Sequence, residues 1–171
     1  MFTKTDIEKY FSAEKSESLL FIVIGIVSII TAISFFIFIK TNFYKGAAIP
    51  LMVIGLLMGV VGFTVYNKSD TDRIQNVYAY DLNPAELRDK EIPRMKTVMK
   101  NFVIYKWVEI ILFLVGIGLF FYFKDTTDKI FWKGLGITLA IMALTAGTAD
   151  YFATQRGAIY LKGLEVFIQQ K

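Results

Sequence analysis

LLFIVIGIVSIITAISFFIFI, residues 19–39, decides the fold. It carries no charged side chain and is long enough to cross a hydrocarbon core of about 30 Å, which takes roughly 20 helical residues. Within a bilayer the backbone must satisfy its own hydrogen bonds, so an apolar run of this length reads as a helix. GAAIPLMVIGLLMGVVGFTVY at 46–66 is equally free of charge. WVEIILFLVGIGLFFYF at 107–123 has one carboxylate near its start, and GLGITLAIMALTAGTADYFAT at 134–154 has one near its end. The expected fold is an all-α integral membrane protein with four transmembrane helices, paired as two hairpins and joined to amphipathic cytoplasmic helices.

The composition agrees, since 55% of the 171 residues are hydrophobic and only 20% charged, with a mean hydropathy of +0.51. The chain has no cysteine and no histidine. That removes thiolate nucleophiles, histidine general bases, disulfide-stapled loops, and the usual haem and zinc sites. No catalytic residue, metal-ligand set or cofactor is read from what remains, and a non-enzymatic protein is expected. A net charge of +4, gathered beside the apolar runs, signals membrane topology rather than nucleic-acid binding.

The cations set the threading. Lys4, Lys9 and Lys15 precede the first span; Lys68, Arg73, Arg88, Lys90, Arg94, Lys96 and Lys100 lie between the second and third; Arg156, Lys162 and Lys171 follow the fourth. The two remaining connections hold only Lys40 and Lys45, then Lys124, Lys129 and Lys133, while Lys106 stands at the edge of the third span. The bias places both termini and the middle segment in the cytoplasm, in the inner membrane of a cell. The expected organisation is an interfacial N-terminal helix at 1–18, a hairpin at 19–66, a cytoplasmic loop with an amphipathic helix at 67–101, a second hairpin at 102–156, and a C-terminal helix at 157–171. FYKG at 43–46 and FWKG at 131–134, 88 residues apart, raise an internal duplication and leave it open.

The polar segments carry helix signals of their own. Asn83-Pro84-Ala85-Glu86 supplies an N-cap, a proline at the first helical position and a carboxylate at the third. Pro93 opens a further stretch in which Ile92, Met95, Val98, Met99, Phe102 and Val103 share a face, with Arg94, Lys96 and Lys100 on others. Thr5-Asp6-Ile7-Glu8 resembles a capping box ahead of an apolar stripe of Ile7, Tyr10 and Phe11. At the other end Ile159, Tyr160, Leu164 and Phe167 extend the fourth helix, with Gly157 and Gly163 as points of weakness. The middle and N-terminal surfaces each have two readings, a helix held at the headgroups or a docking face for a protein partner.

Polar groups inside the spans are the candidate site. At about 1.5 Å per residue, Asp150 lies roughly 26 Å from Lys133 and Glu109 roughly 22 Å from Lys124, so the two reach similar depth near the inner boundary. With Lys106, Arg156 and Glu17 they form a polar cluster at the cytoplasmic end. One reading makes it a structural clasp of ion pairs, the other an acidic mouth for ions. Gly55, Gly59 and Gly62, and Gly136, Ala140, Ala143 and Gly147, are spaced for close helix packing. Thr138, Thr145 and Thr148 offer a polar stripe toward Asp150, unless they bond their own helix carbonyls.

GTAD at 147–150 falls short of the GxGD pattern of intramembrane aspartyl proteases, and without cysteine the chain lacks the outer-loop disulfides of tetraspanin-like and claudin-like proteins. The expected function is therefore a self-associating or scaffolding subunit of a membrane complex, with the bilayer, further copies of itself and a cytoplasmic protein as partners. The alternative is a homo-oligomeric ion channel or ion-coupled transporter, because four helices enclose too little to form a pore alone.

Overall fold

A computed structural model describes residues 2–170. Met1 and Lys171, the outermost residues of the expected terminal segments, lie outside the described residues. Four long helices account for nearly all of the rest: α1 (Lys4–Ser34), α2 (Asn42–Leu82), α4 (Ile92–Phe123) and α5 (Ile130–Gln169), with the single turn α3 (Pro84–Glu86) between α2 and α4. Each of the four contains a segment long and apolar enough to cross a membrane. No strand occurs among the described residues.

The helices are longer than a membrane crossing needs. At 41 residues, α2 spans about 60 Å, twice a hydrocarbon core. All four overshoot their apolar segments by about four turns at the end where both termini lie. Helix α1 lies along α2, α4 along α5, and α2 along α5. At the opposite end Lys40 takes a left-handed conformation (φ 57°) to reverse the chain after a π-helical turn at Phe35–Ile39.

The segment expected at 67–101 as a loop with an amphipathic helix is helical almost throughout, the part before Asn83 included. Only Asn83 (φ −146°, ψ 66°) leaves helical geometry before Pro84 restarts the chain in α3, and a π-helical turn at Leu87–Glu91 leads into α4. The reason is a continuous buried stripe on α2: Gly55, Met58 and Gly62 pass directly into Ser69, Asn76 and Ala79. The capping box also shifts by two residues. The Thr3 backbone N–H and hydroxyl both donate to the Asp6 carboxylate, at 2.8 and 2.7 Å, because Thr3 is extended while Thr5 is already inside the helix.

At the termini end the four overshoots close on one core. Ile7, Tyr10 and Phe11 of α1, Ala79 of α2, Leu87, Ile92 and Met95 before and in α4, and Tyr160, Leu164 and Phe167 of α5 pack together. Tyr10 stacks on Tyr160 with ring centroids 4.1 Å apart, and Tyr80 stacks on Phe167 at 4.4 Å. The N-terminal apolar stripe is thus covered by the chain's own helices. Helix α5 runs through Gly157 and Gly163 without a break; Phe2 lies against Gly163 and Met99 against Gly157, so both glycines admit a neighbour. Ile159 faces outward, since the buried stripe of this segment runs through Tyr160, Leu164 and Phe167.

At the other end the two related tetrapeptides meet. A Cβ on Gly46 would overlap the Phe131 carbonyl, and a Cβ on Gly134 would overlap the Phe43 carbonyl, so each FxKG glycine seats the other motif's phenylalanine backbone. This contact is reciprocal under the 88-residue offset, which is what a two-fold relation between parallel repeats requires. Close crossings within each half follow the small residues. A Cβ on Gly25 would lie 2.6 Å from the Gly55 carbonyl oxygen, and one on Gly136 would lie 2.6 Å from the Gly116 carbonyl oxygen. Gly62 meets Ser18, Ala140 meets Gly116, and Ala143 is buried, while the Cβ position of Gly59 is open although its backbone touches Gly25.

Candidate functional site

Between the aromatic core and the apolar spans lies a belt of polar side chains contributed by all four helices. Helix α1 contributes Glu14, Lys15 and Glu17, which fan out toward different neighbours. The Glu14 carboxylate accepts hydrogen bonds from the hydroxyls of Tyr10 (3.1 Å) and Ser69 (3.3 Å). Lys15 pairs with Asp70, which also receives Arg73 at 3.4 Å. Glu17 pairs with Arg156 across α1 and α5.

Arg94 and Glu91 hold the α4 side. The guanidinium donates twice to Glu91, at 2.7 Å in both bonds, a fork geometry stronger than a single contact. It also lies 5.7 Å from the centre of the Phe11 ring, so one cation links α4 to α1. Glu91 is only 5% exposed while the Arg94 side chain keeps 34% of its surface open, so the pair is buried on its acidic side alone. The Tyr160 hydroxyl is buried beside Glu91, and burial pushes its ionisation far above the ordinary value.

Burial likewise pushes the Glu14 carboxyl above its ordinary value of 4.5, opposed by the Arg94 guanidinium and by the Tyr10 and Ser69 hydroxyls. An acid raised in this way binds its proton more tightly in the folded than in the unfolded chain. Its contribution to stability is present at low pH and is lost as pH rises from 4.5 through the raised value. Glu14→Gln keeps an acceptor for both hydroxyls and removes the titration. The variant is expected to melt above the parent at neutral pH, with the gap closing toward pH 4.5. A gap independent of pH would place the effect elsewhere.

Of the cluster expected from sequence, the structure brings together Glu17, Arg156, Glu109 and Asp150. Glu109 of α4 and Asp150 of α5 have their carboxyl groups within hydrogen-bonding reach of one another, and Glu17 feels the charge of Asp150. Gly147 makes the reach feasible, because a Cβ there would lie 3.2 Å from Glu109 Oε2. Lys106 does not join. Its side chain is exposed and makes no ion pair among the described residues, a lysine at the edge of a span directed outward. Thr145 and Thr148 return their hydroxyls to the carbonyls of Ile141 (2.9 Å) and Leu144 (2.7 Å), and Thr138 makes no side-chain hydrogen bond among the described residues. No group of three metal-ligating side chains converges among the described residues.

Glu14, Asp70, Glu91 and Arg94 belong to this belt and were not read from the sequence as site residues. A signal for one pair exists, the i, i+3 spacing of Glu91 and Arg94 at the foot of an apolar stripe. For Glu14 the signal is its place one turn beyond Tyr10 on the α1 stripe. Compared with protein-family models, with curated proteins and with solved structures, the chain matches none.

Proposed function

We propose that the protein is a non-enzymatic membrane scaffold that crosses the bilayer four times as two hairpins, with both termini in the cytoplasm, and self-associates through its cytoplasmic four-helix module. The observation that carries this reading is the module itself. Four helices continue about four turns past their apolar segments and close on a shared aromatic core, which a protein serving only to span the bilayer does not need. On the module's flank a groove of about 520 Å³ has Ile92, Pro93 and Ile168 as its apolar floor and the Lys96–Glu165 ion pair (2.9 Å) with Arg88 at its rim. One helical turn away on the same helices, Lys100 and Lys162 make no ion pair among the described residues and extend the basic rim.

A channel or ion-coupled transporter is the second reading, favoured by one observation, the facing carboxyl groups of Glu109 and Asp150 near the inner boundary. The close glycine crossings fill the space between neighbouring spans, so this reading needs several copies around an axis. Native mass spectrometry of the protein released from nanodiscs separates the two. A dimer that falls to monomer in Ile168→Glu supports the scaffold; a ring of four or more copies favours a pore; a monomer overturns self-association.

Orientation has its own measurement, which the absence of native cysteine makes clean. Thr126→Cys is expected to react with an impermeant thiol reagent outside intact cells and Tyr78→Cys only after permeabilisation. Tyr78 is 59% exposed, whereas Ser69 at 1% would be silent on either side. The opposite pattern inverts the topology.

A further inference from the structure

The two halves of the chain supply an internal comparison for the acidic pair. Under the 88-residue offset that relates the FxKG contacts, Glu109 and Asp150 correspond to Phe21 and Gly62 of the first half. Those two residues also meet, since a Cβ on Gly62 would lie 2.9 Å from the Phe21 Cβ. The neighbouring glycines match as well: Gly147, which makes room for Glu109, corresponds to Gly59. One helix crossing is therefore closed by an aromatic side chain over a glycine, and its counterpart by two carboxyl groups. The fold has an apolar way to make this contact, and ionisable groups within a span are costly. Packing alone does not account for Glu109 and Asp150.

The charges around the pair narrow its chemistry. On α5 the nearest cation, Arg156, is committed to Glu17 of α1. On α4 Lys106 turns outward, and no charged side chain of α2 acts on either carboxyl group among the described residues. Two half-buried carboxylates in contact and without a cation ionise together only at a cost, whereas a carboxyl group donating to a carboxylate is a stable hydrogen bond.

We propose that Glu109 and Asp150 hold one proton between them, forming a proton-dependent latch that ties α4 to α5 at the boundary of the spans. Loss of the proton sets two negative charges face to face and drives that crossing apart. The inference does not depend on the scaffold reading, because it concerns a contact within one chain.

Infrared spectroscopy of the protein in nanodiscs at neutral pH tests it through the carbonyl stretch of a protonated carboxyl group. The paired substitution Glu109→Phe with Asp150→Gly copies the first half's contact and serves as the blank, cancelling bands from Glu14 and Glu17. The expected result is a band in the parent above this blank that disappears in both Glu109→Gln and Asp150→Asn, since each variant leaves a single carboxylate accepting from an amide. No band in the parent overturns the proposal, and so does a band that survives in either single variant, which would assign the proton to one residue alone. If size-exclusion chromatography shows that the variants do not fold, labelling of parent membranes with dicyclohexylcarbodiimide decides. This reagent adds to protonated carboxyl groups in apolar surroundings. A mapped adduct on Glu109 or Asp150 that fades as pH is raised sustains the latch, and its absence from both overturns it.

Discussion

Gly46→Ala is expected to lower the stability of the folded chain by about 3 kcal/mol, and Gly46→Val to prevent accumulation of folded protein, at the upper end of the range for overpacked sites and beyond it. The added Cβ would overlap the Phe131 carbonyl oxygen and lie 2.9 Å from its carbon. Neither atom belongs to a side chain that can rotate away. Relief requires α2 and α5 to separate where the two FxKG stretches touch. Gly134→Ala is expected to cost the same, since its Cβ would lie 2.9 Å from the Phe43 carbonyl carbon. Gly59→Ala is the control: no atom lies within 4 Å of its Cβ position, and alanine is the better helix former by roughly 1 kcal/mol. Melting curves in detergent should rank Gly59→Ala at or above the parent and both FxKG variants well below it. Equal melting of Gly46→Ala and parent would remove the reciprocal contact from the description of the fold.

The second large effect is expected at Arg94. Removing one partner of a fully buried ion pair leaves an uncompensated charge and costs about 3–5 kcal/mol, whereas replacing both partners with apolar side chains of similar size is often neutral; with the Arg94 side chain 34% exposed, the lower end of that range is expected. Arg94→Ala strands Glu91, 5% exposed, beside the Glu14 carboxyl and removes the cation over Phe11. The double variant Glu91→Leu with Arg94→Met is expected to recover most of the loss. The single and double variants together form a cycle whose coupling energy reads the pair directly. Independent, additive losses would mean that the two side chains act through other neighbours.

The spans were legible because hydrophobicity is a property of composition, and runs such as 19–39 and 46–66 contain nothing to confuse it. The overshoots were less legible. Residues 67–82 look like a loop because the buried stripe of α2 changes from Gly55, Met58 and Gly62 to Ser69, Asn76 and Ala79, small and polar residues that carry spacing without hydropathy. Ser69 and Asn76 can be buried because their side chains bond the carbonyls of Val65 and Asp72 at 2.8 Å, a local solution with no signature in a hydropathy profile. In the candidate site, Glu17 and Arg156 were placed together on depth alone. Lys106 was misplaced because a long side chain at a span boundary has two directions open to it, and sequence does not choose between them. Glu14 and Glu91 read as surface charges until the tertiary fold buries them.

The FxKG contact also sets how the molecule can move. Helices α2 and α5 are pinned to one another at their first turns and reach about 50 Å from Gly46 to Ala79 before their far ends. The same two helices meet again at their far ends, where Tyr80 stacks on Phe167. With both tips fastened, the pair acts as a closed frame rather than a hinge. A tilt of about 5° at the Gly46 and Gly134 seats would demand about 4 Å of displacement at the distant stack, so neither end can shift without the other.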